Sequence, residues 1–314
     1  MCGIAGFCNI KENYNKDRGK WNAVLKSMNQ VQKHRGPDDE GTSLDPNCGL
    51  AHVRLSILDL ETGHQPMIRK CASNSCSILL NGEIYNMPEL KKELLEEGVV
   101  FETESDTEVV LTGYMKYGAD YVKRLNGIFA IAIWDTRISK LFLFRDRLGV
   151  KPLFYTIIDG TIVFSSEIKG LFQYPGFSPV LDRDGLCEIF ALGPAKSYGK
   201  GVFKDVLEVP AGEYLTFGRD GCKSICYWKL ESHTHEDSWD ETVEKTSWLI
   251  EDSVKKQMLS DVPISTFLSG GVDSSIVTAI CAKELKKQGK VLNTFSFDFK
   301  DNSKYFQSNS FQPS

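Results

Sequence analysis

The sequence has no apolar run long enough to cross a membrane: its longest, Ile128 to Trp134, falls far short of the ~18 residues a spanning helix needs. Blocks of like charge are missing too. Lys and Arg number 37 against 42 Asp and Glu, and the net charge of -5 is spread along the chain, which excludes an electrostatic footprint for nucleic acid or another polyanion. Only Met1 precedes Cys2, with no basic n-region and no apolar h-region, so no secretory signal is expected and the chain reads as cytoplasmic. Nine cysteines form an odd count without framework spacing, which in 314 residues argues for reduced thiols rather than disulfides. A cysteine with a function should therefore be a chemical one. Repeats and low-complexity blocks are absent, while 41% hydrophobic and 25% charged residues are ordinary for a globular chain of about two domains.

From Met1 to about Trp228, short apolar segments alternate with turn chemistry. Ile128 to Trp134 and Leu141 to Phe144 flank a polar turn, and Leu153 to Ile158 and Thr161 to Ser165 flank Asp159-Gly160, a strong hairpin signal. Glu213 to Phe217 and Lys223 to Trp228 predict a third hairpin, and Trp21 to His34 and Pro88 to Glu97 predict helices. The first domain, 2–228, is thus expected to be sheet-rich with some helices. A polar linker, 229–237, precedes Ser238-Trp239-Asp240-Glu241, a capping box opening a helix with Val243, Ile250, Val254 and Met258 at helical spacing. Pro263 to Leu268 then predicts a buried strand, Ser274 to Lys287 a helix closed by Gly289, and Val291 to Phe299 a second strand. That is one βαβ unit and implies a parallel sheet over 238–314. One crossover helix cannot cover both faces of such a sheet, and the polar stretch Lys300 to Ser314 ends abruptly, so this domain is expected to be incomplete.

Chemistry concentrates in a few segments. Removing Met1 would expose the Cys2 thiol beside its own backbone amine, whose reference pKa near ~8 suits it to act as a general base. Arg54 could bind a carboxylate bidentately, Glu83 or Asp106 could pair with an ammonium, and the Asn81 amide and Gly82 N–H could hold an oxyanion. Taken singly, these residues also read as a small buried thiol, a solvated arginine, an Asn-Gly turn and a helix cap at Ser105 or Asp106. Further on, Phe267-Leu268-Ser269-Gly270-Gly271-Val272-Asp273-Ser274-Ser275 joins a strand to a helix through glycines and small hydroxyls, a context that suits an anion at the positive end of a helix. His233 with His235, and Cys222 with Cys226, complete no four-ligand metal set.

Together with Cys2-Gly3-Ile4-Ala5-Gly6, the segments His34 to Asp38, Arg54, Asn81-Gly82-Glu83, Arg145 to Pro152 and Ser165 to Lys169 resemble the class II glutamine amidotransferases, and among them the B-type, glutamine-hydrolysing asparagine synthetases. The resemblance implies an α+β N-terminal-nucleophile domain, with two antiparallel sheets stacked between helices, followed by the start of an α/β ATP pyrophosphatase domain. It makes Cys2 the nucleophile and Asn81 with Gly82 the oxyanion hole. Glutamine binding falls to Arg54, Leu55, Ser56, Ile57, Leu58, Asn81, Gly82, Glu83 and Asp106. ATP, with Mg²⁺, would contact Leu268, Ser269, Gly270, Gly271, Val272, Asp273, Ser274, Ser275 and Phe297. At Phe297 this sequence departs from the family pattern of a smaller aliphatic residue followed by Gly. The implied reaction is ATP-dependent amidation of aspartate with glutamine nitrogen. The aspartate-binding residues are expected beyond Ser314, and this chain alone is expected to act only as a glutaminase. A different carboxylate acceptor, on a sugar or peptide, and a catalytically silent fragment are the alternatives. The family allows a homodimer. His34 to Asp38 and Arg145 to Pro152 match the family, and a scaffold role is the expectation for both.

Overall fold

The structure, a computed structural model, describes residues 1–193 and 197–297. The chain divides into two compact units, Met1–Glu231 and a second from Ser232 onward. The first unit holds twelve strands: β1 (Gly3–Cys8), β2 (Asp39–Leu44), β3 (Cys48–Arg54), β4 (Met67–Cys71), β5 (Asn74–Ile84), β6 (Gly127–Asp135), β7 (Lys140–Arg145), β8 (Phe154–Ile158), β9 (Thr161–Ser165), β10 (Leu207–Glu208), β11 (Glu213–Gly218) and β12 (Gly221–Cys226). They form two six-stranded sheets, β10-β8-β9-β1-β3-β2 and β12-β11-β7-β6-β5-β4. Every strand pair in them is antiparallel.

The period of two along β1 explains the layering. Ile4 and Cys8 point into the core between the sheets, where they join Leu79, Ala130, Ala132, Trp134 and Leu141 of the second sheet. Ala5 and Phe7 point the other way, onto Val24, Leu25 and Met28 of α1 (Arg18–Gln32). On the far side, α3 (Asp106–Tyr117) packs Tyr114 edge-on against Phe142 of β7, with ring centroids 5.4 Å apart. α2 (Met87–Glu96) lies between β5 and α3 in sequence, and α4 (Ile168–Leu171) and α5 (Arg183–Leu192) follow β9. Two antiparallel sheets stacked between helices are the expected architecture. The Asp159-Gly160 hairpin forms as a mirror-image turn, with φ of 47° and 76° at its two central residues and Ile158 opposite Thr161.

In the second unit, α6 (Trp239–Gln257) opens with the expected reciprocal capping box between Ser238 and Glu241. β13 (Ser265–Phe267) and β14 (Asn293–Phe295) pair in parallel, with α7 (Val272–Lys287) connecting them. One expectation of burial needs correction: β13 is not a buried strand, since Phe267 is 83% exposed; the expected helix α6 forms and buries no residue. Among the described residues, a two-stranded sheet with one connecting helix offers too little surface to bury either. The second strand is shorter than Val291 to Phe299. Phe299 and the polar stretch Lys300 to Ser314 lie outside the described residues.

Candidate active site

Pairing of β1 with β3 sets Gly3 opposite Val53, so Cys2 emerges beside the C-terminal end of β3. There the Leu55 N–H donates to Cys2 Sγ at 3.4 Å, and Sγ lies 3.6 Å from the Leu55 carbonyl oxygen. Arg35 fixes the backbone: its Nε donates to the Cys2 carbonyl at 2.8 Å while Nη1 donates to Glu167 Oε1 at 3.1 Å. His34 and Lys169 also reach Glu167, at 2.8 and 2.9 Å. Burial pushes the Glu167 carboxyl up, but its hydrogen bonds to Lys169, Arg35 and His34 outweigh it, and the group is held below its ordinary value. The His34 to Asp38 segment thus holds backbone on two sides of the site: Arg35 the carbonyl of the proposed nucleophile, and Asp38, through Oδ2, the Ser56 N–H at 2.8 Å.

Arg54, at the end of β3, is buried, and its Nη2 donates to the carbonyls of Leu58 (2.8 Å) and Asp59 (2.6 Å). The guanidinium thus closes the loop that contains Leu55, Ser56, Ile57 and Leu58. Gln65 ties the following segment to both neighbours: its Oε1 accepts the Leu80 N–H at 2.6 Å and its Nε2 donates to Thr107 Oγ1 at 3.1 Å.

Asn81, Gly82 and Glu83 occupy the last turn-ward residues of β5, opposite Ala130, Phe129 and Ile128 of β6. Asn81 is fully buried. Its Nδ2 lies 3.4 Å from Ser166 Oγ, which also accepts the Ile4 N–H at 3.0 Å, so the amide is linked to β1, the strand that follows Cys2. The Asn81 Oδ1 is buried without a hydrogen-bond partner among the described residues. Gly82 has a second reason to be glycine besides access to an oxyanion: a Cβ there would sit 2.1 Å from the Ile128 carbonyl oxygen and 2.6 Å from the Phe129 Cα.

Asp106 opens α3 at its positively polarised end, next to the N-cap Ser105, and its Oδ2 accepts the Ile84 N–H at 3.1 Å. Helix-capping and ligand-binding readings of this segment coexist, because Ser105 caps and Asp106 faces β5. Burial raises the Asp106 carboxyl against the hydrogen bonds from Ile84 and Thr107 and the pull of Arg54. Glu83 is raised by burial and then by Asp106, and is drawn down by Lys151 and Arg54. Two carboxylates thus share one partly dehydrated space with too little cationic compensation. Burial also raises the Cys2 thiol, opposed by the Leu55 N–H, the N-terminus and Arg54, while burial lowers the N-terminal amine of Met1.

Arg145 to Pro152 forms a clamp behind this space. Asp146 is buried and accepts four N–H groups: Phe129 (3.2 Å) and Lys151 (3.0 Å) at Oδ2, Leu148 (3.1 Å) and Val150 (3.0 Å) at Oδ1. Arg145 donates to the carbonyls of Lys151, Val209 and Gly149 at 3.0, 2.7 and 2.8 Å. The segment holds β6 in place at Phe129, directly across from Gly82.

The glycine-rich loop lies in the second unit. Gly270 takes a φ of 83°, which a side chain would strain, and Gly271 caps α7. Ser274 Oγ reaches back to the Gly271 carbonyl (3.1 Å) and to Ser269 Oγ (3.0 Å), with the Ser269 N–H 3.3 Å away. Leu268 is fixed between the strands, its N–H donating to the Phe295 carbonyl at 2.9 Å and its carbonyl accepting from Ser296 Oγ at 2.7 Å. Val272, Asp273 and Ser275 fall in the first turn of α7, and Phe297 follows β14. Among the described residues, no group of three or more His, Cys, Asp or Glu side chains is placed to hold a metal ion. His235 is bonded through Nε2 to Thr242 Oγ1 at 2.7 Å.

The stacked sheets and a cysteine at the mouth of β1 define an N-terminal-nucleophile type of amidotransferase fold. Residues 1–228 match the family described as glutamine amidotransferase domain, and the chain belongs to that family. Residues 245–309 match the family described as asparagine synthase. Over its whole length the chain is 44% identical to asparagine synthetase [glutamine-hydrolyzing] 3 of Bacillus subtilis, of which it covers 50%. Over 90% of its length it is 37% identical to asparagine synthetase [glutamine-hydrolyzing] 2 of the same organism, covering 39% of that protein. The chain spans about half or less of the length of these curated relatives. Among solved structures, the glutamine phosphoribosylpyrophosphate amidotransferase of B. subtilis is similar in fold, with a TM-score of 0.51 at 18% identity over 100% of this chain and 69% of that one.

Proposed function

We propose that the first unit hydrolyses glutamine at Cys2, and that the glycine-rich loop belongs to a site where ATP, with Mg²⁺, activates aspartate to receive the ammonia. The buried pair Glu83 and Asp106, with Arg54 close enough to act on both, carries this reading. Such a set complements a free α-amino acid, whose ammonium supplies the missing cation and whose carboxylate meets the guanidinium. With Met1 removed, the Cys2 amine takes the thiol proton as Sγ attacks the glutamine amide carbon. The Gly82 N–H and Asn81 Nδ2 hold the resulting oxyanion. The C–N bond then breaks, the amine's proton leaves with the nitrogen as ammonia, and water releases glutamate from the thioester.

ATP and its Mg²⁺ would supply adenylation of the acceptor carboxylate, and Ser269 to Ser275 would cradle phosphate oxygens with backbone N–H groups at the start of α7. Leu268 and Phe297 are proposed contacts to the nucleotide base. We place this chemistry in the cytoplasm; a homodimer fits the same reading.

The test is glutamate release from glutamine by the chain and by its Cys2→Ala variant, with circular dichroism as the folding control. Turnover in the parent and none in a folded variant is expected. A normal rate in Cys2→Ala would remove Cys2 as nucleophile.

A further inference from the structure

Lys151 is 7% exposed, and among the described residues its Nζ makes no hydrogen bond or ion pair. The stem of this lysine is covered while its unpaired ammonium keeps some contact with solvent, an arrangement that sacrifices hydration a surface position nearby would retain. The backbone gives Lys151 no freedom to leave: its N–H is held by Asp146 and its carbonyl by Arg145 Nε, both at 3.0 Å. Because Asp146 also holds the Phe129 N–H, and Phe129 pairs with Gly82, the clamp fixes the Lys151 backbone next to the strand residue that faces the proposed oxyanion hole. Its electrostatic neighbours are Glu83, Cys2, Arg35 and Asp146, and it acts in turn on the N-terminal amine.

We propose that Lys151 is a positioning residue of the glutaminase site, whose unpaired ammonium stabilises the negative charge that forms first on Cys2 Sγ and then on the attacked amide oxygen. It makes no covalent bond and passes no proton. The same charge disfavours protonation of the neighbouring amine, which keeps that amine available as the base. Burial lowers the Lys151 ammonium, while Glu83 and Cys2 favour its charged form. Around the thiol itself, Glu83 opposes the thiolate, and the N-terminus and Arg54 favour it.

The proposal rests on Cys2 being the nucleophile, but its test uses no glutamine, so failure of glutamine hydrolysis and failure of the Lys151 role are told apart. The measurement is the pH dependence of Cys2 alkylation by iodoacetamide, a neutral reagent, followed on the Cys2 peptide by mass spectrometry in protein lacking Met1. In Lys151→Met the midpoint should rise by about one pH unit, a roughly tenfold slower reaction at neutral pH. Lys151→Gln carries the same expectation if the Met variant fails to fold. Lys151→Arg should keep the parent midpoint. Repeating the comparison in a Glu83→Gln background removes the response of that carboxylate, and the rise should persist. An unchanged midpoint in the neutral variants, an equal rise in Lys151→Arg, or loss of the rise in the Glu83→Gln background overturns the proposal.

Discussion

Arg35 Nε donates to the carbonyl oxygen of Cys2 at 2.8 Å, so a side chain from the turn that follows α1 fixes the backbone of the residue just before β1. The other arm of the guanidinium is anchored on Glu167 at 3.1 Å. In the proposed reaction, with Met1 removed, Cys2 has nothing on its N-terminal side to hold it, and this contact supplies the restraint.

Arg35→Ala should therefore lower kcat for glutamine hydrolysis by about tenfold to a hundredfold, the equivalent of a charge-assisted hydrogen bond of about 1.5–3 kcal/mol. KM should change little, because the Arg35 donors are engaged by the Cys2 carbonyl and by Glu167. Steady-state kinetics check the split; a change confined to KM would place Arg35 in binding instead.

Glu83 and Asp106 are raised by burial, and for Glu83 by the Asp106 charge as well, so at neutral pH the empty site retains protons that an exposed pair would have lost. An incoming α-ammonium lowers both groups. Glutamine binding should thus release protons, seen by titration calorimetry of Cys2→Ala as a dependence of the apparent enthalpy on buffer ionisation heat. Uptake of protons would contradict the assignment.

The same shift has a stability sign. A carboxyl raised in the folded state leaves the fold unaffected below its unfolded pKa and weakens it as pH rises from there through the folded value. Glu83→Gln should consequently match the parent near pH 4 and exceed it near pH 8, by about 1–3 kcal/mol if the buried charge goes uncompensated. Thermal unfolding across that range is the check, and a parent that gains on the variant with rising pH would reverse the sign.

Arg54→Ala should raise KM for glutamine by about tenfold or more through loss of the carboxylate partner. Because Arg54 also closes the Leu55 to Asp59 loop through two carbonyls, kcat should fall too, by a smaller factor. Unchanged KM would remove Arg54 from binding.

The second unit exposes Phe267 at 83%, Phe295 at 56% and Phe297 at 77%. Such apolar surface on a two-stranded sheet does not make a nucleotide pocket of ordinary enclosure. The 314-residue chain should hydrolyse glutamine yet form no asparagine from ammonia, aspartate and Mg-ATP, as amino-acid analysis would show. Asparagine formed at an ordinary enzymatic rate would place the whole aspartate site within these residues.

Cys2, Arg54, Asn81 to Glu83 and Asp106 stood out as candidates because each carries its chemistry in its residue type and the family spacing joins them. Arg35, Glu167 and Ser166 were not. Their roles depend on contacts across 33 to 132 positions, which no local pattern encodes. Helix α3 escaped the periodicity reading because it is buried along most of its length, so polar and apolar faces do not alternate at 3.6. The hairpins were legible for the opposite reason: Asp159-Gly160 has a turn preference that tertiary packing does not need to supply. In the second unit, apolar character predicted burial that the described neighbours do not provide.

The central claim, that the Cys2 amine is the base for its own thiol, is tested most directly by sorting the protein by intact mass and measuring glutaminase turnover in each fraction. Protein lacking Met1 should carry the turnover, and protein retaining it should be inactive because the amine is then a peptide nitrogen. Full activity in the fraction that retains Met1 would contradict the account.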